Sequence, residues 1–207
     1  MSVFNEKATR LARLFTAICL GEFEVVRELR RAAPEGEPDR AWRETVLQTH
    51  LFCGFPRLVQ AYGVLEAEGG LGEPEPGEYE MGEDTDARGA ALFDTIYANA
   101  ADKMRERLTS FRPDFAVWLL EHAYGHVLSR PGLDPALREL LSICVLAALD
   151  QPSQFESHAR GALRQGASSE DLSKALDVAL ELAPDAAIER AREAAARAGT
   201  WETEVKR

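Results

Sequence analysis

Apolar residues recur every three or four positions through nearly all of the chain, as in LARLFTAICL, FEVVRELRRAA, RELLSICVLAAL and QFESHARGALRQG. That is the period of a helix with one buried face, and runs of β-branched residues alternating with polar ones between turns are missing. The pattern predicts an all-α protein with short connections. Local chemistry marks several helix starts. Asp134-Pro135 supplies an N-cap followed by a first-turn proline, Ser168 with Asp171 three residues on has the form of a capping box, and Pro56 and Pro184 can each open a helix.

One segment breaks the rhythm. From Glu68 to Asp86 the chain reads EGGLGEPEPGEYEMGEDTD, where glycine, proline and acidic side chains oppose both helix propagation and core burial; a linker or mobile flap is expected. On either side lie two segments of similar cadence, Leu11 to about Ala67 and Leu137 to about Ala198, in which Ile18-Cys19 aligns with Ile143-Cys144 and Pro56 with Pro184. A diverged duplication accounts for this: a first helical repeat over 1–68, the acidic linker over 69–86, and inserted helices with a second repeat over 87–207. Chance similarity between helical segments is the alternative. The inserted helices, one carrying FAVWLLEHAYGHVL, are expected to pack the two halves together in one compact unit.

The 207 residues include 45% hydrophobic and 29% charged, a balance that suits a soluble globular chain able to bury a core. No run approaches the roughly 20 apolar residues that cross a bilayer, and the start MSVFNEKATR has no basic stretch followed by an apolar one; a cytoplasmic protein is expected, with no membrane partner. A formal net charge of −11 argues against nucleic acid, whose binding depends on a basic surface. An anionic small molecule would need a local cationic pocket. Cys19, Cys53 and Cys144 are separated within apolar stretches and none forms a CxxC pair, so they read as reduced core residues.

From Tyr124 to Gly166, and on through ASSEDLSKALDVAL, the chain resembles the carboxymuconolactone decarboxylase family in the order and spacing of SRPGLD, RELLSICVLAALDQP and SHARGALRQGASSEDL. In the first half, RETVLQTHLFCGFPRLVQA resembles the helix and GFP turn that follow such a motif. The resemblance covers over half of the chain and implies an AhpD-like helical bundle with two diverged repeats, a lyase of aromatic-compound catabolism, no cofactor, a small-molecule substrate and a symmetric homo-oligomer. The AhpD-like alkyl hydroperoxidases of the same superfamily carry a glutamate, a CxxC pair and a histidine. Here Glu139 and His158 stand at the glutamate and histidine positions, but Gln151 and Gln154 occupy those of the cysteines, and glutamine is neither a nucleophile nor a resolving thiol. Thiol peroxidase activity of that kind is not expected. Two departures bear on the substrate: Glu139 replaces a small hydroxyl residue, and APDAA replaces the second GFP turn.

The resemblance makes His158 the candidate proton-transfer group, since imidazole exchanges protons near neutrality, and Glu139 the residue that orients it. Arg138 and Arg130 are candidates for binding a substrate carboxylate through guanidinium geometry. His50 and Phe55, with Phe52, are candidate apolar walls by analogy with the family, and His122 and Tyr124, with Trp118, a pocket wall or helix interface. Each has a purely structural alternative: a buried hydrogen bond for His158, a solvated first-turn acid for Glu139, a turn brace for Arg130, surface ion pairs for Arg138 and core packing for the aromatics. The spacing of His122 and His126 puts both rings on one helical face, yet HExxH is absent and no third ligand is evident, so no metal site is assigned. An isomerase or hydrolase using the same pair, or a helical oligomer that binds a ligand without turnover, are the competing functions.

Overall fold

The computed structural model describes residues 2–80, 82, 84–183 and 185–205, and among them every regular element is helical. Four helices, α1 (Glu6–Leu20), α2 (Phe23–Arg31), α3 (Arg40–Gln48) and α4 (His50–Ala67), form the first segment. Then come α5 (Thr85–Tyr97), a 3-10 turn at Ala98–Ala100, α6 (Ala101–Phe111), and α7 (Pro113–Trp118), which runs directly into a π-helix over Leu119–Leu128. The last segment is α8 (Pro135–Ala148), α9 (Pro152–Arg164), α10 (Ser169–Leu180) and α11 (Asp185–Val205).

The capping signals act as their chemistry requires. Asp134 accepts from the amides of Ala136 and Leu137 at the start of α8, and Ser168 and Asp171 form a reciprocal capping box on α10. Asp171 also accepts from the amide of Phe4 at 3.0 Å, tying the amino-terminal segment to α10. Pro56 follows Gly54, whose φ of 75° and ψ of 169° break α4 after its first turn, so the proline opens the longer part of that helix. Pro184 lies outside the described residues.

The amino- and carboxy-terminal segments share one core. Leu11, Phe15 and Ile18 of α1 and Trp42 and Val46 of α3 pack with Leu140, Ile143 and Cys144 of α8, Phe155 of α9, Ala175 of α10 and Ile188 of α11. Helix α8 is buried from Ala136 to Ala148, so its three polar side chains, Arg138, Glu139 and Ser142, must find partners inside the protein. A second, smaller cluster of Phe93, Ile96, Ala101, Tyr124 and Leu128 holds α5, α6 and the π-helix together. There Gly89 and Gly125 permit close helix contact: a Cβ on Gly89 would lie 2.6 Å from the backbone nitrogen of Gly125. These intervening helices touch both segments, through His50 against His122 and through Arg164 donating to the Ile96 carbonyl.

The acidic stretch after α4 is irregular, as its composition requires, but it is strapped down. Glu78 is buried and receives a bidentate bond from Arg43 at 2.6 and 2.7 Å. Arg43 also donates to the carbonyl of Leu71, Arg130 to that of Glu78, and Arg30 to those of Gly69 and Gly70. A guanidinium fork matched to a buried carboxylate turns an expected flap into a fixed covering over a cavity of about 300 Å³ that Arg43, Glu44, Tyr62, Tyr79 and Arg130 line.

Candidate active site

Successive residues of a helix point about 100° apart, so Arg138 and Glu139 leave α8 toward different neighbours. Glu139 faces α9. Its Oε2 accepts from His158 Nδ1 at 2.9 Å, and both residues are buried. The carboxylate can approach because Gly161, one turn beyond His158, has no side chain: a Cβ there would lie 2.6 Å from Glu139 Oε2 and 3.1 Å from Ile96 Cγ2. A carboxylate accepts, so the imidazole carries its hydrogen on Nδ1 and leaves Nε2 to exchange a proton with a ligand.

The surroundings are aromatic. Phe52 sets its edge toward His158 with ring centroids 6.3 Å apart and is itself backed by Phe15 at 5.6 Å. Tyr124 and Tyr97 meet through their hydroxyls at 3.3 Å, above Phe93. Burial raises the pKa of both phenols, most strongly that of Tyr124, and the charge of Glu139 adds to the effect, so both remain protonated donors at neutral pH. Tyr97 also lines a cleft of about 360 Å³ with Met104, Phe115, Leu119, Gln154 and Ser157.

The other sequence candidates lie in two further clusters. Arg138 turns toward α3, where Nη2 donates to Glu44 Oε2 at 2.8 Å and Nη1 to Gln48 Oε1 at 3.0 Å. Glu44 also receives Arg130, whose Nε and Nη2 lie 2.9 to 3.0 Å from its oxygens. The expected substrate arginines thus clasp an internal carboxylate, and Arg138, 1% exposed, is out of reach of a ligand in this arrangement. Arg130 does border the 300 Å³ cavity.

His50 and His122 come together between α4 and the π-helix with their Nε2 atoms 2.7 Å apart, while Phe55 stacks on His50 at 5.2 Å and His126 lies 6.3 Å from His122. His50 Nδ1 donates to the Leu47 carbonyl, so His50 Nε2 accepts and His122 Nε2 donates. Among the described residues, no grouping of three or more His, Cys, Asp or Glu side chains has the geometry to hold a metal ion. Desolvation, followed by the neighbouring His50 and His126, holds the pKa of His122 below the usual histidine range. A depressed folded pKa means that the fold accommodates the neutral His122 ring better than the charged one, so the stability this burial contributes is present above about pH 6.5 and is lost as the pH falls through the lowered value. NMR titration should therefore place the His122 midpoint below about 6.5, and His50→Ala should move it back up; an unshifted midpoint in the natural protein would contradict the assignment.

Residues 113–197 match the model of the carboxymuconolactone decarboxylase family. This match, over less than half of the chain, supports the family resemblance of the carboxy-terminal segment. The matched span contains the Glu139 and His158 pair and the whole of the π-helix. Among curated proteins, the chain is 29% identical over 152 residues to Peroxisomal protein 2 of Schizosaccharomyces pombe, covering 71% of this chain and 70% of the relative. It is also 36% identical over 67 residues to the 4-carboxymuconolactone decarboxylase of Acinetobacter baylyi, which covers 32% of this chain and 50% of that enzyme. Among the described residues no helix is long and apolar enough to cross a membrane.

Of the features that reading the sequence missed, Gly161 gave no local sign, and the value of Glu44 and Tyr97 depends on partners far along the chain. Cys53 departs from the expectation of a core residue: it is half-buried, whereas Cys19 and Cys144 are buried.

Proposed function

We propose that this chain is a cofactor-free acid–base enzyme of the decarboxylase type, acting on a small carboxylated lactone or a related β-keto acid. The observation that carries this reading is the buried Glu139 carboxylate on Nδ1 of His158. Loss of carbon dioxide breaks a carbon–carbon bond and leaves an electron pair delocalised into the unsaturated ring and its carbonyl. Protonated His158, turned by Glu139, delivers the Nε2 proton to carbon and ends as neutral imidazole. The carboxylate beside it fixes the orientation of the ring, while Phe52, Tyr97 and Tyr124 keep the region poor in water. His50, Phe55 and His122 are proposed as a further wall, and Arg130, which with Arg43 borders the 300 Å³ cavity, as a cation for a substrate carboxylate.

Four consecutive helices before the insertion and four after it support the duplication, with the first repeat supplying walls and the second the acid–base pair. A homo-oligomer is part of the same reading: Phe55, Val59 and Tyr62 form an exposed apolar stripe on α4, Phe55 being 63% exposed.

The test is carbon dioxide release and ultraviolet turnover on a panel of carboxylated lactones and β-keto acids, with His158→Ala as control. Turnover that disappears in the folded variant supports the proposal. Turnover that persists in His158→Ala, or silence of the natural protein across the panel, moves the weight to another acid–base reaction or to ligand binding.

A further inference from the structure

Cys19 stands in the last turn of α1 and Cys53 in the first turn of α4, and the fold brings them together. Both thiols donate to the same carbonyl, that of Thr49, at 3.8 and 3.2 Å, which sets the two sulfurs side by side. Their settings differ. Cys19 is 2% exposed, while Cys53 is half-buried and reachable from solvent. Arg57, one turn along α4, donates to the carbonyl of Cys19 at 2.6 Å, placing a fixed positive charge beside the pair. The contact with Cys19, the Thr49 bond and Arg57 together pull the Cys53 thiol down to about 7, against the effect of its burial. Burial pushes Cys19 well up, and fully buried Cys144 is pushed up likewise. A partly exposed thiol with substantial thiolate character beside a protonated, buried one is the asymmetry that thiol–disulfide exchange exploits.

We propose that Cys53 and Cys19 form a redox-active dithiol that exchanges with small-molecule disulfides, Cys53 as the attacking sulfur and Cys19 as the resolving one. In the first step the Cys53 thiolate attacks one sulfur of a disulfide RSSR; a Cys53–SR bond forms, the S–S bond of the reagent breaks, and RS⁻ leaves and is protonated. In the second, Cys19 gives up its proton and attacks Cys53 Sγ, expelling the other RS⁻ as thiol. The protein dithiol is oxidised by two electrons, RSSR is reduced to two RSH, and no other reactant is needed. The break at Gly54 isolates the turn carrying Cys53 from the body of α4, so the sulfurs can close without displacing the whole helix. The pair is separate from positions 151 and 154, both glutamine, and does not depend on the decarboxylase reading.

The experiment equilibrates the whole reduced protein in graded mixtures of reduced and oxidised glutathione, quenches with acid, alkylates the remaining thiols and maps the products by mass spectrometry. The natural protein should yield a reversible species lighter by two hydrogens, with Cys19 linked to Cys53. Cys19→Ser should halt at a glutathione adduct on Cys53, Cys53→Ser should give neither product, and Cys144→Ser should behave as the natural protein does. A persistent adduct on Cys53 of the natural protein with no internal link would overturn the resolving role of Cys19. Three free thiols at every ratio would overturn the proposal as a whole, and since the natural protein alone gives that reading, a variant that fails to fold does not obscure it.

Discussion

Glu139→Gln is expected to lower turnover on whichever carboxylated lactone or β-keto acid the protein accepts by roughly two to four orders of magnitude, the range associated with a positioned acid–base group. The amide has the shape of the carboxylate, so it fits the space that Gly161 leaves open, and the thermal transition should stay close to that of the natural protein. What disappears is the negative charge at the acceptor: the amide oxygen can still accept from Nδ1, but the amide NH2 can equally donate to that nitrogen, so the tautomer is no longer enforced. Because the two residues act as a unit, Glu139→Gln combined with His158→Ala should be little worse than His158→Ala alone. Full turnover in Glu139→Gln, alongside its loss in His158→Ala, would reduce the glutamate to a packing role. A parallel measurement of KM separates the cases further: loss of a proton-transfer group lowers kcat, whereas a disturbed wall raises KM.

The second large effect concerns stability. Glu44→Leu should destabilise the fold by about 3–5 kcal/mol in urea titrations, the range for a buried ion pair that loses one member. The carboxylate answers two guanidinium groups, and Arg138, with side-chain exposure of 2%, has no route to water. Burial already pulls the Arg138 guanidinium below its usual pKa, with the Glu44 bond acting in the opposite direction, so removal of Glu44 leaves an uncompensated charge in the core. Arg138→Met in the Glu44→Leu background should recover much of the loss, because an apolar side chain needs no partner there. A change below about 1 kcal/mol for Glu44→Leu would show that the network is solvated in solution, as exposed pairs are.

The long-range clusters mark where the chain's own pattern ran out. The cap at Asp134 and the box at Ser168 and Asp171 join residues two or three positions apart, so composition and spacing suffice to recognise them. Helical periodicity likewise fixed the all-α class, because burying one face of a helix leaves a signature within each turn. The acidic stretch after α4 was legible as irregular from its glycines and prolines, but its attachment was not: Arg43 and Glu78 stand 35 positions apart, and only folding aligns the fork with the carboxylate.

Glu139 and His158, 19 positions apart, could be singled out through the family resemblance, while their contact depends on the turn between α8 and α9 and on the missing side chain of Gly161. Arg138 had the right chemistry for a substrate carboxylate; its neighbour on α3, 94 positions away, claimed it first. Cys53 looked like any cysteine in an apolar run until α1 and α4 crossed and set Cys19 against it. The sequence by itself determined what is periodic or local: the helices, several of their ends, the irregular strap and the chemical types on hand. The tertiary structure decided the pairings, because whether a buried charge, imidazole or thiol finds a partner depends on which helix faces are pressed together.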